Sequence, residues 1–127
     1  MFEMQVKGTF DAAHHLRGYD GKCSRLHGHT WTVALSVRGE ALDELGMLVD
    51  FKALNQLLEE TLAPLDHQDL NALSPFQRVN PTAEHIAKYL YDTLAPHSLF
   101  QQGAARLFRV RVWESPHSSV CYGGDTP

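Results

Sequence analysis

From Phe2 to His14 the chain alternates, with Phe2, Met4, Val6, Phe10, Ala12 and His14 on one side and Glu3, Gln5, Lys7, Thr9 and Asp11 on the other. This period of two predicts a half-buried strand. After the loop R-G-Y-D-G-K, a second alternation sets His27, His29, Trp31, Val33, Leu35 and Val37 opposite Gly28, Thr30, Thr32, Ser36 and Arg38. Two such runs can pair as a long antiparallel hairpin.

Past the turn region G-E-A-L-D-E-L-G the period lengthens. Phe51, Leu54, Leu57, Leu58 and Leu62 form the apolar stripe of a helix, with Asp50 as its N-cap and Pro64 as its stop. A second helix starts at N-P-T-A-E, where Pro81 suits the first helical position and Glu84 the positive end of the helix dipole. Its stripe is Ile86, Ala87, Leu90 and Leu94, ending before Pro96. Alternation returns in R-L-F-R-V-R-V-W-E, with Phe108, Val110, Val112 and Glu114 against Arg109, Arg111 and Trp113, and a short strand follows near Ser119–Tyr122.

The order β-β-α-α-β-β predicts a two-layer α+β domain, a four-stranded antiparallel sheet with both helices on one face. The other face carries Lys7, Thr9, Thr30, Thr32, Arg109 and Arg111, too polar for a core and suited to meeting other subunits. At 127 residues the whole chain, 1–127, is expected to be one domain.

Composition narrows the function. With 11 Lys+Arg against 15 Asp+Glu, the net charge of -4 and the scattered basic residues argue against nucleic-acid binding. No apolar run approaches membrane-spanning length, and M-F-E-M-Q-V-K has an acidic residue where a signal peptide would be basic, so a soluble, cytoplasmic protein is expected. Cys23 and Cys121 are then expected as free thiols. The 8 histidines form no tag-like run.

Three of them fall in phase. His27 and His29 continue the face of Trp31, and His14 continues the face of Phe10, so pairing of the two strands brings three imidazoles to one end of the sheet. Three histidines with an open fourth position describe a catalytic metal site, whereas isolated histidines on an apolar face are hydrogen-bonded core residues. His15 points the other way.

Cys23, four residues before His27, lies near Lys22 and Arg25, which favour a thiolate able to take a proton or attack; an inert buried thiol is the alternative. In L-D-H-Q-D-L-N, Asp66 adjoins His67, a pairing that suits either proton transfer or a helix-capping turn. Glu114 is in phase with the buried side of its strand, where a carboxylate requires a partner: N–H groups of a planar heterocycle or a nearby Arg.

F-D-A-A-H, C-S-R-L-H-G-H, G-M-L-V-D-F, L-D-H-Q-D-L-N, N-P-T-A-E and V-W-E, in this order over nearly the whole chain, resemble the 6-pyruvoyl-tetrahydropterin synthase family. The three residues between Cys23 and H-G-H resemble its 6-carboxy-5,6,7,8-tetrahydropterin synthase branch, which serves queuosine biosynthesis; the eukaryotic pyruvoyl-forming enzymes have a longer spacing. The resemblance implies the tunnelling fold, assembled as a homohexamer (a dimer of trimers) with sites at subunit interfaces. It implies Zn2+ bound by His14, His27 and His29, with Cys23 as proton acceptor and His67 with Asp66 as relay. Glu114 would anchor the pterin, and Thr82 and Glu84 would line its pocket. The implied reaction converts 7,8-dihydroneopterin triphosphate to the carboxytetrahydropterin, releasing triphosphate and acetaldehyde. A pyruvoyl-forming or dihydroneopterin-cleaving relative, or a non-catalytic zinc-binding scaffold, is the alternative. Lys22, Arg25 and Arg17 are the candidate cations for the triphosphate. His15 departs from the family pattern, in which Arg stands there, and the end Y-G-G-D-T-P is expected to be a frayed tail.

Overall fold

The computed structural model describes residues 1–125. Strands β1 (Phe2–His14) and β2 (His27–Gly39) form the predicted hairpin, in register from Phe2–Gly39 to His14–His27. Helix α1 (Phe51–Leu62) leads to a two-residue strand β3 (Gln68–Asp69), then come α2 (Ala83–Leu94), β4 (Arg106–Ser115) and β5 (Ser118–Gly123).

The sheet corrects the expected count. It has five strands in the order β3-β1-β2-β4-β5, and it is mixed, because β3 runs parallel to β1 at Ala12–Gln68 and Ala13–Asp69. Two residues show no period, so nothing local announces β3. It forms because His67 N–H donates to Asp11 O at 2.6 Å and pulls the segment against β1.

Both helices cover one face. Leu54, Leu58 and Leu62 of α1 and Ile86, Ala87, Leu90 and Leu94 of α2 share a single core cluster with Val6, Phe10, Trp31, Val33, Leu35, Val110 and Val112. Gly8 interrupts the apolar side of β1 for a steric reason: a Cβ there would stand 3.2 Å from methyl carbons of both Leu58 and Leu62. Asp50 caps α1 as predicted, accepting from Lys52 N. Phe51 departs from the predicted stripe. As the first helical residue it stays 56% exposed, beside Phe2 and Leu42.

Two further expectations shift by one position. Thr82, not Pro81, begins α2: its extended backbone and its hydroxyl, which accepts from His85 N, make it the N-cap, and Pro81 lies just outside. In β4, a register shift opposite Ser36 and Val37 turns Leu107 into the core and puts Phe108 under the guanidinium groups of Arg38 and Arg109. A bulge of this kind reverses the alternation beyond it. At the C-terminus Tyr122 and Gly123 belong to β5 rather than to a tail, and the rest of that expectation falls on residues 126–127, outside the described residues.

Candidate metal centre

Trp31 is the floor of the site. Fully buried and stacked on Phe10, it meets the rings of His14 and His29 edge-on at centroid distances of 4.9 and 5.2 Å. His14 and His27 are direct cross-strand partners and His29 follows two residues later on the same face. The three ring centroids consequently lie 4.6–5.0 Å apart.

Their orientation is set by main-chain carbonyls. His14 Nδ1 lies 2.8 Å from Pro81 O, and His27 Nδ1 lies 2.6 Å from Arg25 O. A carbonyl can only accept, so Nδ1 carries the proton in both rings and the lone pair is on Nε2. Ligand histidines are typically held in this way. Nε2 of His14 and of His29 is buried without a hydrogen-bond partner.

Glu114 occupies the corner that three histidines leave open. Its Oε1 is 3.0 Å from His29 Nε2 and 3.4 Å from His14 Nε2, close but not aligned for hydrogen bonding. One donor atom from each of His14, His27, His29 and Glu114 lies within 4.8 Å of the others. Burial lowers the pKa of both His14 and His29, outweighing the opposing pull of Glu114. Neutral imidazoles with converging, unpartnered lone pairs beside a carboxylate fit a divalent transition metal, and nitrogen-rich sets of this kind suit zinc, iron or nickel.

Asp66 and His67 form a second cluster, on the outer face. Their side chains touch, Nδ1 to Oδ2 at 2.8 Å, and Asp66 Oδ1 accepts from Asp11 N at 2.8 Å. Asp11 in turn accepts from the Thr30 hydroxyl at 2.5 Å. The Asp11 N–H and His67 lower the pKa of Asp66, and Asp66 raises that of His67. His67 adopts a left-handed backbone at φ 58°, which turns its ring back onto its neighbour. Asp11 alternates with Ala12 and His14 along β1, so this cluster and the histidine triad belong to opposite faces. An open depression of ≈ 570 Å³ lined by Asp11, Gly28, His29, Thr30 and His67 lies at this edge.

The remaining candidates are dispersed. Cys23 sits half-buried in a 3-10 turn, Lys22–Ser24, tied down where Leu16 N donates to its carbonyl at 2.7 Å. It is outside the metal-facing group, and both cysteines are free thiols. Thr82 caps α2, and Glu84 is exposed in its first turn. Arg17 is not available to a ligand: its guanidinium donates to the carbonyls of Phe76, Val79 and Asn71.

Sequence reasoning missed two supports. The Pro81 carbonyl orients His14, and a main-chain acceptor has no side-chain signature. Asn71 clamps the chain just past His14, accepting from His15 N at 2.9 Å and donating to His15 O at 3.0 Å. A buried Asn is the detectable part of that signal, since it needs partners on both sides.

The profile of the family described as 6-pyruvoyl tetrahydropterin synthase matches residues 3–125. A 6-carboxy-5,6,7,8-tetrahydropterin synthase of Bacillus subtilis is 35% identical over 126 residues, covering 95% of this chain and 84% of the relative. The human 6-pyruvoyl tetrahydrobiopterin synthase is 34% identical over 109 residues, covering 83% and 72%. The solved 6-pyruvoyl tetrahydropterin synthase of Caenorhabditis elegans superposes with a TM-score of 0.78 at 24% identity, covering 98% of this chain and 96% of its own. Among the described residues no helix is long and apolar enough to cross a membrane. The chain belongs to the 6-pyruvoyl tetrahydropterin synthase family.

Proposed function

From that membership we propose that the protein is a zinc-dependent, cytoplasmic 6-carboxy-5,6,7,8-tetrahydropterin synthase acting on 7,8-dihydroneopterin triphosphate. The observation that carries the reading is the set of unpartnered, converging Nε2 atoms of His14 and His29, beside His27 and Glu114. His14, His27 and His29 would hold the ion, with Glu114 within reach of it and of the pterin ring. When bound, zinc supplies Lewis acidity that polarises the side-chain oxygens of the substrate and acidifies the adjacent C–H.

The chain's own groups then divide the proton work. Cys23 takes the proton and His67, kept protonated by Asp66, returns one while triphosphate leaves. Thr82 and Glu84, at the start of α2, line the ring pocket. The released fragment is acetaldehyde.

Assembly completes the site in this reading. Asp66 and His67 belong to the outer face and the triad to the inner, so the pair serves the triad of a neighbouring copy. Two features support a homohexamer with shared sites. The accessible surface is 7666 Å², against about 6,800 Å² for a compact monomer of this mass. Among the described residues, β1 is paired by β3 only at Ala12 and Ala13, which leaves most of that edge open.

The test is a mass-spectrometric product assay of the zinc-loaded protein with 7,8-dihydroneopterin triphosphate. Carboxytetrahydropterin with acetaldehyde is expected. A pyruvoyl product would move the protein to the branch of its human relative, and unchanged substrate with zinc bound would favour a non-catalytic zinc-binding protein.

A further inference from the structure

A row of register partners, Lys7, Ala34, Arg111 and Cys121, crosses the outer face of the sheet. Lys7 Nζ lies 4.8 Å from the centroid of the Trp113 ring and the Arg111 guanidinium 5.5 Å from it, so one indole carries two cations. Cation–π attraction holds each in place, but the two charges repel one another.

Nothing nearby neutralises them. Among the described residues, neither Lys7 nor Arg111 forms an ion pair with a carboxylate. Arg111 Nε donates to Cys121 Sγ at 3.0 Å, a weak acceptor. The carboxylates of that face are engaged elsewhere, Glu3 by Arg38 at 2.6 Å and Asp11 by Thr30 at 2.5 Å. In a chain of net charge -4, two adjacent unpaired cations mark a place for an external anion.

The pair also adjoins the candidate centre. An open groove of ≈ 520 Å³ is lined by Lys7, Thr32 and Trp113 and extends to His29 and Glu114. Arg17, expected from the sequence to meet the triphosphate, is held by three carbonyls instead.

We propose that Lys7 and Arg111, braced on Trp113, bind a polyphosphate: the triphosphate tail of the substrate whose reacting end lies toward His29 and Glu114 in the same groove. The inference rests on the synthase reading for the identity of that substrate, but not for the anion site itself. Two fixed cations meet several phosphate oxygens at once, and they continue to stabilise the negative charge as triphosphate departs.

The probe is inorganic tripolyphosphate, titrated calorimetrically into the full-length protein as wild type, K7Q, R111Q and K7R. Because tripolyphosphate also ligates divalent metals, the titration is run on metal-loaded and metal-free protein. Wild type is expected to bind in both states, K7R to retain binding, and K7Q and R111Q each to lose roughly tenfold or more in affinity. With 7,8-dihydroneopterin triphosphate, KM should rise by a similar factor in K7Q and R111Q, with zinc content and circular dichroism unchanged. Equal tripolyphosphate affinity in wild type, K7Q and R111Q would overturn the site. Lost tripolyphosphate binding with an unchanged KM would overturn its assignment to the substrate tail. Lysine-dependent tripolyphosphate binding in a protein that turns over no pterin would refute the synthase reading and leave the anion site standing.

Discussion

His14 and His67 each have a ring nitrogen within 3.4 Å of a carboxylate oxygen, yet their surroundings push them in opposite directions. His14 is 2% exposed beneath Trp31 and α2, and burial lowers its pKa despite Glu114. The His67 side chain is 78% exposed on the outer face, and Asp66 raises its pKa. Desolvation penalises the charged ring where water is excluded, whereas a hydrogen-bonded carboxylate favours it where water remains. The same residue types are therefore prepared as metal ligands on one face and as a proton carrier on the other.

The largest expected effect separates the two clusters directly. His27→Ala removes one of three imidazole donors and should lower zinc affinity by more than about a hundredfold, since even loss of an outer-shell support costs 10–100-fold. Zinc per chain, measured after dialysis against a weak chelator, checks it; full retention of zinc would break the assignment of the inner face. His67→Asn should leave zinc content unchanged and reduce turnover by roughly 10²–10⁴, the range for loss of a general acid or base. An equal loss of zinc in His67→Asn would merge the clusters that the fold keeps apart.

Arg17 and Lys7 offer a smaller contrast between a cation used by the fold and one left open. Arg17→Ala removes donors to three carbonyls and should destabilise the protein by about 1–3 kcal/mol, read as a lowered denaturation midpoint. Once folded, that variant should show an unaltered KM.

The smallest effect is the pH window of the Asp66–His67 pair. The folded pKa of His67 lies above 6.5, so its share of stability is complete below that pH and is lost as pH rises through the folded value. Asp66 lies below 3.8, so its share is present above that pH and disappears as pH falls through its folded value. The pair thus contributes between these limits, and only slightly, because both groups are solvated. In an NMR titration Asp66→Asn should return the His67 imidazole toward 6.5, and an unmoved titration would remove Asp66 as its partner.

Period and residue type alone placed both long strands, both helices, the β4–β5 pair and the convergence of His14, His27 and His29. Alternation and helical stripes record which side of each element is buried, and in-phase histidines on paired strands must share a face. The motifs likewise identified the family, and Asp50 and Glu84 marked helix starts to within a residue.

What lies between distant segments was decided only by tertiary closure. Strand β3 exists because His67 and Asp66 reach Asp11 across 55 positions, not because Gln68–Asp69 favours extension. The Pro81 carbonyl chooses the tautomer of His14, the bulge at Ser36 and Val37 turns Phe108 outward, and the Phe76, Val79 and Asn71 carbonyls engage Arg17. Each depends on a main-chain atom or a register far away in the chain, and a side-chain pattern carries no record of either.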